Sequence, residues 1–198
     1  EELVFVKSDS NEKIIEKSNE FVKQLFNEIN ALRADPKEYS QTLINLKPFY
    51  KDDGSIVSPT GSGLQITTEE GVTALNEAID LLKKFPPLPK LKELSDGLNQ
   101  SCQTYTTEQK DSLSPPIGAK KRGKLNGTFK KYKELLSIGA GTPKEAVWRW
   151  LIDDGNAERS KRKLLLDADF THMGAAVQYN DSVHSVLLLA LAVDYAQN

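Results

Sequence analysis

At 198 residues the chain is long enough to bury a substantial core, and one domain is the favoured count. A hydrophobic fraction of 38%, a charged fraction of 27% and a net charge of −2 describe a globular chain with polar loops, with no global reason to bind nucleic acid or a membrane surface. A single cysteine, Cys102, excludes an internal disulfide, and no apolar run is long enough to cross a membrane as a helix.

Residues 1–11 read as a short, mixed polar tether. The chain starts without a methionine, which fits a removed export signal or a lipid anchor upstream of residue 1; a start set by cloning looks the same. Ile14, Ile15, Phe21, Val22, Leu25, Phe26, Ile29 and Leu32 recur at helical spacing and predict a helix over residues 12–34. Asp35-Pro36-Lys37-Glu38 then restarts a helix: aspartate caps, proline takes the first turn and glutamate reaches back to the cap. Residues 51–63, rich in Gly, Ser, Pro and Asp, predict a surface loop.

Thr67-Thr68-Glu69-Glu70 predicts the start of a helix with Val72, Leu75, Ile79 and Leu82 on one face. The prolines at 86, 87 and 89 predict a rigid extended connector. It leads into a helix over residues 91–105, whose apolar face carries Leu91, Leu94, Leu98, Cys102 and Tyr105. Cys102 there reads as a buried, inert thiol more readily than a reactive one. The Pro and Gly content of residues 112–128 predicts a long irregular loop. Lys120, Lys121, Arg122, Lys124, Lys130, Lys131 and Lys133 form a basic run without an acid, interleaved with Phe129 and Tyr132. A solvated loop is the favoured reading and a docking patch for an acidic partner the second; the net negative charge argues against nucleic acid.

Thr142-Pro143-Lys144-Glu145 repeats the capping device and opens a helix through Trp150. Trp148 and Trp150, two apart, cannot share a helix face. One is expected to pack on the sheet and the other to border a cleft or solvent, as a candidate ligand or partner contact. Residues 174–179, a turn at Asn180-Asp181-Ser182 and residues 183–195 then read as a β-hairpin. Residues 186–193 are apolar without alternation, so this strand must be covered on both faces. Helices on either side give an α+β fold, a three-layer α-β-α sandwich around a central antiparallel sheet. No serine-nucleophile elbow or phosphate-binding glycine loop is present.

The segment from Trp150 to Gly174, with Asp153-Asp154-Gly155, Arg159, Arg162, Phe170 and Gly174, resembles the CAP (SCP-like) superfamily pattern D-D-G-x-x-x-R-G-H-R-x-N-I-L-x-x-x-F-x-x-x-G. Asn30-Ala-Leu-Arg33-Ala-Asp-Pro36 is similar to the family's N-x-x-R-x-x-P helix, and Leu88-Pro89 through Leu94 to its P-L-x-x-x-x-L pattern. Residues 68–82 resemble an insertion of a cysteine-poor bacterial and protist branch. The resemblance covers roughly residues 21–195 and makes residues 12–198 one CAP-like domain, with an extracellular or outer-surface location implied.

The resemblance also implies a cleft of two histidines and two acids, which in some members binds a divalent metal. By position Glu134 matches the acid of the G-E-N-I motif, Asp153 the second acid, and Lys161 takes the slot of the histidine in R-G-H-R. The other histidine belongs near residues 111–114, where there is none; His172 and His184 match neither slot. An ammonium has no lone pair for a metal. Lys161 is therefore expected to approach Glu134 or Asp153 in place of an ion, leaving a degenerate cleft with no metal, no cofactor and no catalytic residue. The two histidines read as ordinary strand-end residues ahead of an accidental metal pair. The favoured function is a non-enzymatic binding protein that recognises a lipid or sterol, or a protein. The alternative is a metal- or carboxylate-dependent hydrolase using Glu134 and Asp153 as acid and base.

Overall fold

The computed structural model describes residues 9–59, 65–109 and 113–198. Helix α1 (Asn11–Ala34) starts at Ser10, whose hydroxyl accepts the Lys13 N–H, and buries Phe21, Val22, Leu25, Ile29 and Leu32. Of the expected tether, residues 1–8 lie outside the described residues and Asn11 is already helical. Asp35 ends α1 and caps α2 (Pro36–Ile44), accepting the Glu38 N–H at 2.9 Å. Arg33, in the last turn of α1, is fully buried. Its guanidinium donates to the carbonyls of Pro89, Leu165, Asp167 and Phe170 at 2.8, 3.2, 2.9 and 3.2 Å. One side chain thus pins three segments far apart in sequence, and burial pulls its pKa below the usual arginine value.

The stretch read as a surface loop contains β1 (Ile56–Val57), with Ile56 buried, which pairs antiparallel with β2 (Gln65–Ile66) just beyond it; residues 60–63 lie outside the described residues. Helix α3 (Val72–Leu82) starts later than expected, capped by Gly71 at φ 58°. The N–H groups of Glu69 and Glu70 go instead to the Asp154 carboxylate at 2.7 and 3.0 Å, while the Thr68 hydroxyl donates to the Gly54 carbonyl. These residues form a docked turn outside the helix.

The helix expected from residue 91 begins at residue 96. Residues 92 and 95 spend their N–H groups on Thr171 and Met173 carbonyls, so β3 (Glu93–Leu94) is a short strand, and Ser95 then caps α4 (Asp96–Glu108). The region read as an irregular, solvated loop is ordered: α5 (Ala119–Gly123), β4 (Gly127–Thr128) and β5 (Lys131–Ile138). Thr142 caps α6 (Pro143–Ile152), accepting the Glu145 N–H at 3.1 Å. Then follow α7 (Ser160–Leu165), the hairpin β6 (His172–Asn180) and β7 (His184–Val193), and β8 (Ala196–Gln197), which pairs with β4.

The main sheet has the order β3-β6-β7-β5, antiparallel except for the short parallel β3–β6 edge. The central strand β7 sorts its side chains by period two. Leu187, Leu189 and Leu191 pack with α1, α2, α3, α6 and α7 on one face. Val186, Leu188, Ala190 and Ala192 meet Leu98, Cys102 and Tyr105 of α4 on the other. This is the expected α-β-α sandwich, and the unbroken apolar run of β7 is its cause: each of its fully buried leucines is worth about 2 kcal/mol.

Candidate functional site

Glu134 stands opposite Ala190 in the β5–β7 register, so it shares the face covered by α4 and α5. Both its carboxylate oxygens are engaged. Arg122 of α5 donates through Nε to Oε1 at 3.2 Å and through Nη2 to Oε2 at 2.6 Å, and the Tyr132 hydroxyl donates to Oε1 at 2.6 Å. Arg122 also donates to the Pro116 and Ile117 carbonyls and lies 5.3 Å from the Tyr105 ring. Burial and the adjacent carboxylate push the Tyr132 phenol far above its ordinary value. Burial alone would lower Arg122, but its bonds to Glu134 outweigh it and raise the guanidinium. Cys102 lies beneath this pair, fully buried, and burial pushes its thiol well above the usual range. This is an inert thiol.

Asp153 ends α6 in the left-handed conformation, φ 50°. Its Oδ2 accepts the Lys161 N–H at 2.8 Å and the Asn156 side-chain amide at 3.0 Å, so a buried carboxylate anchors the start of α7. The Lys161 ammonium lies 3.4 Å from Oδ1, an ion-pair distance without hydrogen-bond alignment, and its side chain is 45% exposed. Lys161 therefore approaches Asp153 and not Glu134. The two acids themselves are not brought together: α6 packs on the opposite face of the sheet from Glu134, and the two carboxylates share no partner.

The arginines of the same segment reach across the fold to residues around α3. Arg159 donates to both Glu70 oxygens at 2.6 and 2.7 Å and to Glu77 Oε2 at 2.8 Å, and Arg162 donates to Glu77 Oε1 at 2.6 Å. With Asp154 holding the N–H groups of Glu69 and Glu70, they clamp the α3 insertion to the end of α6. The Arg159 bonds draw the Glu70 carboxyl down to about 2, against the opposing effect of burial. Two acids seven residues apart, Glu70 just before α3 and Glu77 within it, were the available signal.

Trp148 and Trp150 are both buried, so neither offers the surface anchor expected of one of them. The reason is that α6 is enclosed nearly all round, burying eight of its ten residues. Trp150 donates to the Leu136 carbonyl at 2.9 Å, and Trp148 lies 5.7 Å from the Arg149 guanidinium. His172 pairs with Ala192 and His184 with Asn180, so the histidines sit at opposite ends of the hairpin, roughly 27 Å apart along β6.

A divalent-metal site does not fit these residues. Arg122 neutralises Glu134, an ammonium faces the remaining oxygen of Asp153, and the acids lie on different sheet faces. Among the described residues no group of three or more His, Cys, Asp or Glu side chains is placed to hold an ion.

The profile of the CAP family, described as the cysteine-rich secretory protein family, matches residues 26–192. The chain belongs to the CAP family. This CAP chain superposes on venom allergen-like protein 4 of Schistosoma mansoni with a TM-score of 0.51 at 12% identity, covering 90% of each chain. It superposes on an extracellular SCP-domain protein of Bacillus anthracis with a TM-score of 0.50 at 15% identity, over 96% of this chain and 45% of that one. The CAP chain thus spans about half the length of the Bacillus protein. At such identities the shared property is the fold. No curated protein matches the sequence.

Proposed function

We propose that this CAP chain is a binding protein acting outside the cell or on its outer surface, recognising a protein, lipid or sterol partner without catalysing a reaction. One observation carries the reading: both oxygens of Glu134 are held by Arg122 and Tyr132, on the sheet face away from Asp153. An acid–base pair needs both groups within reach of the same reacting atoms. Here one carboxylate is committed to a buried ion pair and the other to anchoring a helix. The extracellular description of the Bacillus protein supports the location.

The test combines zinc titration by calorimetry, hydrolysis assays on peptide and ester substrates with and without chelator, and lipid extraction followed by mass spectrometry. The expected result is neither stoichiometric metal binding nor chelator-sensitive turnover, with any captured lipid or surface protein identifying the partner. Turnover that disappears in Glu134→Gln or Asp153→Asn, with the fold retained, would establish the hydrolase instead.

A further inference from the structure

Between Leu113 and Lys133 the sequence carries seven cations and no carboxylate. Taking those seven positives from the net charge of −2 leaves −9 on the rest of the chain, so the positive charge is concentrated in this one segment of the sequence. The fold makes that segment a platform. Arg122 faces inward on Glu134 and holds the Pro116 and Ile117 carbonyls. A Cβ at Gly123 would lie 2.8 Å from atoms of the Phe129 and Tyr132 rings, so α5 rests directly on that stacked pair. Lys131 is occupied by Asp167 and Asp169 at 2.6 and 3.2 Å.

Five lysines remain on the outside: Lys120, Lys121 and Lys124 on and after α5, with Lys130 just before β5 and Lys133 on it. A hollow of about 510 Å³ lies between the two groups, lined by Lys120, Lys130 and Lys133, by Phe129 and Tyr132, and by Glu134, whose charge Arg122 neutralises. Two aliphatic side chains stand among these charges. Ile117 is 81% exposed, the most of any large apolar residue described, and Leu125 is 52% exposed. Next to Ile117, a Cβ at Gly118 would meet nothing within 4 Å, so the tip stands in open space.

We propose that this face docks on an anionic membrane surface, the lysines meeting the lipid phosphates while Ile117 and Leu125 enter the boundary between headgroups and acyl chains. The aliphatic pair decides for a membrane over another polyanion. Nucleic acid is gripped by charge and by stacking on open aromatic faces, but Phe129 and Tyr132 are stacked on each other at 4.9 Å. The net charge of the whole chain conceals this segment, because the nearest acids, Glu134, Asp167 and Asp169, are paired with Arg122 and Lys131 and leave the five lysines uncompensated by them. The inference names one partner chemistry for the binding reading above, yet vesicle capture stands or falls separately: none of the substitutions below touches Glu134 or Asp153.

The experiment is co-sedimentation of the protein with vesicles of phosphatidylcholine alone and of phosphatidylcholine mixed with phosphatidylserine. Binding is expected on the mixed vesicles only, weakening as salt rises. A lysine near such a surface is worth roughly fivefold in partition. Replacing Lys120, Lys121 and Lys124 together by Gln should therefore weaken binding roughly 100-fold. Ile117→Ser with Leu125→Ser should weaken it about tenfold without altering the salt dependence. All five positions are exposed, so circular dichroism should show the fold unchanged. Equal binding to both vesicles, or none to either, would overturn the proposal. So would binding that ignores Ile117→Ser and Leu125→Ser, which would reduce the contact to a general attraction of lysines for anions with no insertion into the membrane.

Discussion

Glu134→Gln keeps the shape of the side chain and removes the charge that faces Arg122. The two side chains are 4% and 12% exposed, so solvent screens their attraction little. Removing one partner of such a pair costs about 3–5 kcal/mol, chiefly because the other charge stays buried. Glutamine can still accept from Tyr132, and Arg122 keeps the Pro116 and Ile117 carbonyls, so the lower end, about 3 kcal/mol, is expected. In a domain of this size each kcal/mol lowers Tm by about 2–4 °C, giving a fall of about 6–12 °C. Arg122→Met should cost about as much, and Glu134→Gln combined with Arg122→Met less than the sum by about 2 kcal/mol. Urea denaturation followed by circular dichroism measures all three. Additive losses, or a loss under about 0.5 kcal/mol for Glu134→Gln, would show that this carboxylate is not the structural element described.

Arg33→Lys keeps the charge but leaves at least one of four carbonyls, two of them buried, without a donor; a loss of about 2–3 kcal/mol in urea unfolding is expected. Gly174→Ala places a Cβ 2.3 Å from Leu98 Cβ and 2.5 Å from the Asn99 nitrogen, so α4 must retreat from the sheet. That costs about 3 kcal/mol and should appear as a lower Tm and weaker hydrogen-exchange protection in α4. Glu70, depressed from 4.5 to about 2, stabilises the fold fully above its unfolded value and loses that contribution as pH falls from there through about 2. The stability gap between the parent and Glu70→Gln, measured by urea titration, should be constant near neutrality and close between those limits.

What could be read from the sequence was local and chemically explicit. Asp35-Pro36 and Thr142-Pro143 cap helices because a short acceptor followed by a missing N–H has few other uses. The unbroken apolar run of β7 required two covering layers before either was located. That Lys161 would approach Glu134 or Asp153 followed from aligning one signature; which of the two it meets, Asp153, only the fold decides. Strand β5 was hidden because its alternation is carried by Tyr132, Glu134 and Leu136: a carboxylate holds an inward position that only a distant arginine makes tolerable. The late start of α3 escaped notice for a related reason, its apparent capping residues being claimed by Asp154 from far along the chain. The separation of Glu134 from Asp153 depends on which sheet face each occupies, and no spacing in one dimension records that.

The double-sided apolarity of β7 carries a liability. Eight consecutive buried residues, Ser185 to Ala192, are shielded only while α4 and the α1–α6 layer stay in place. Peeled open on either side, the segment offers a charge-free, leucine-rich template for cross-β stacking, flanked by only His184 and Asp194 as gatekeepers. Substitutions that loosen the helical layers should therefore register first as fibril seeding in storage, before any loss of partner recognition.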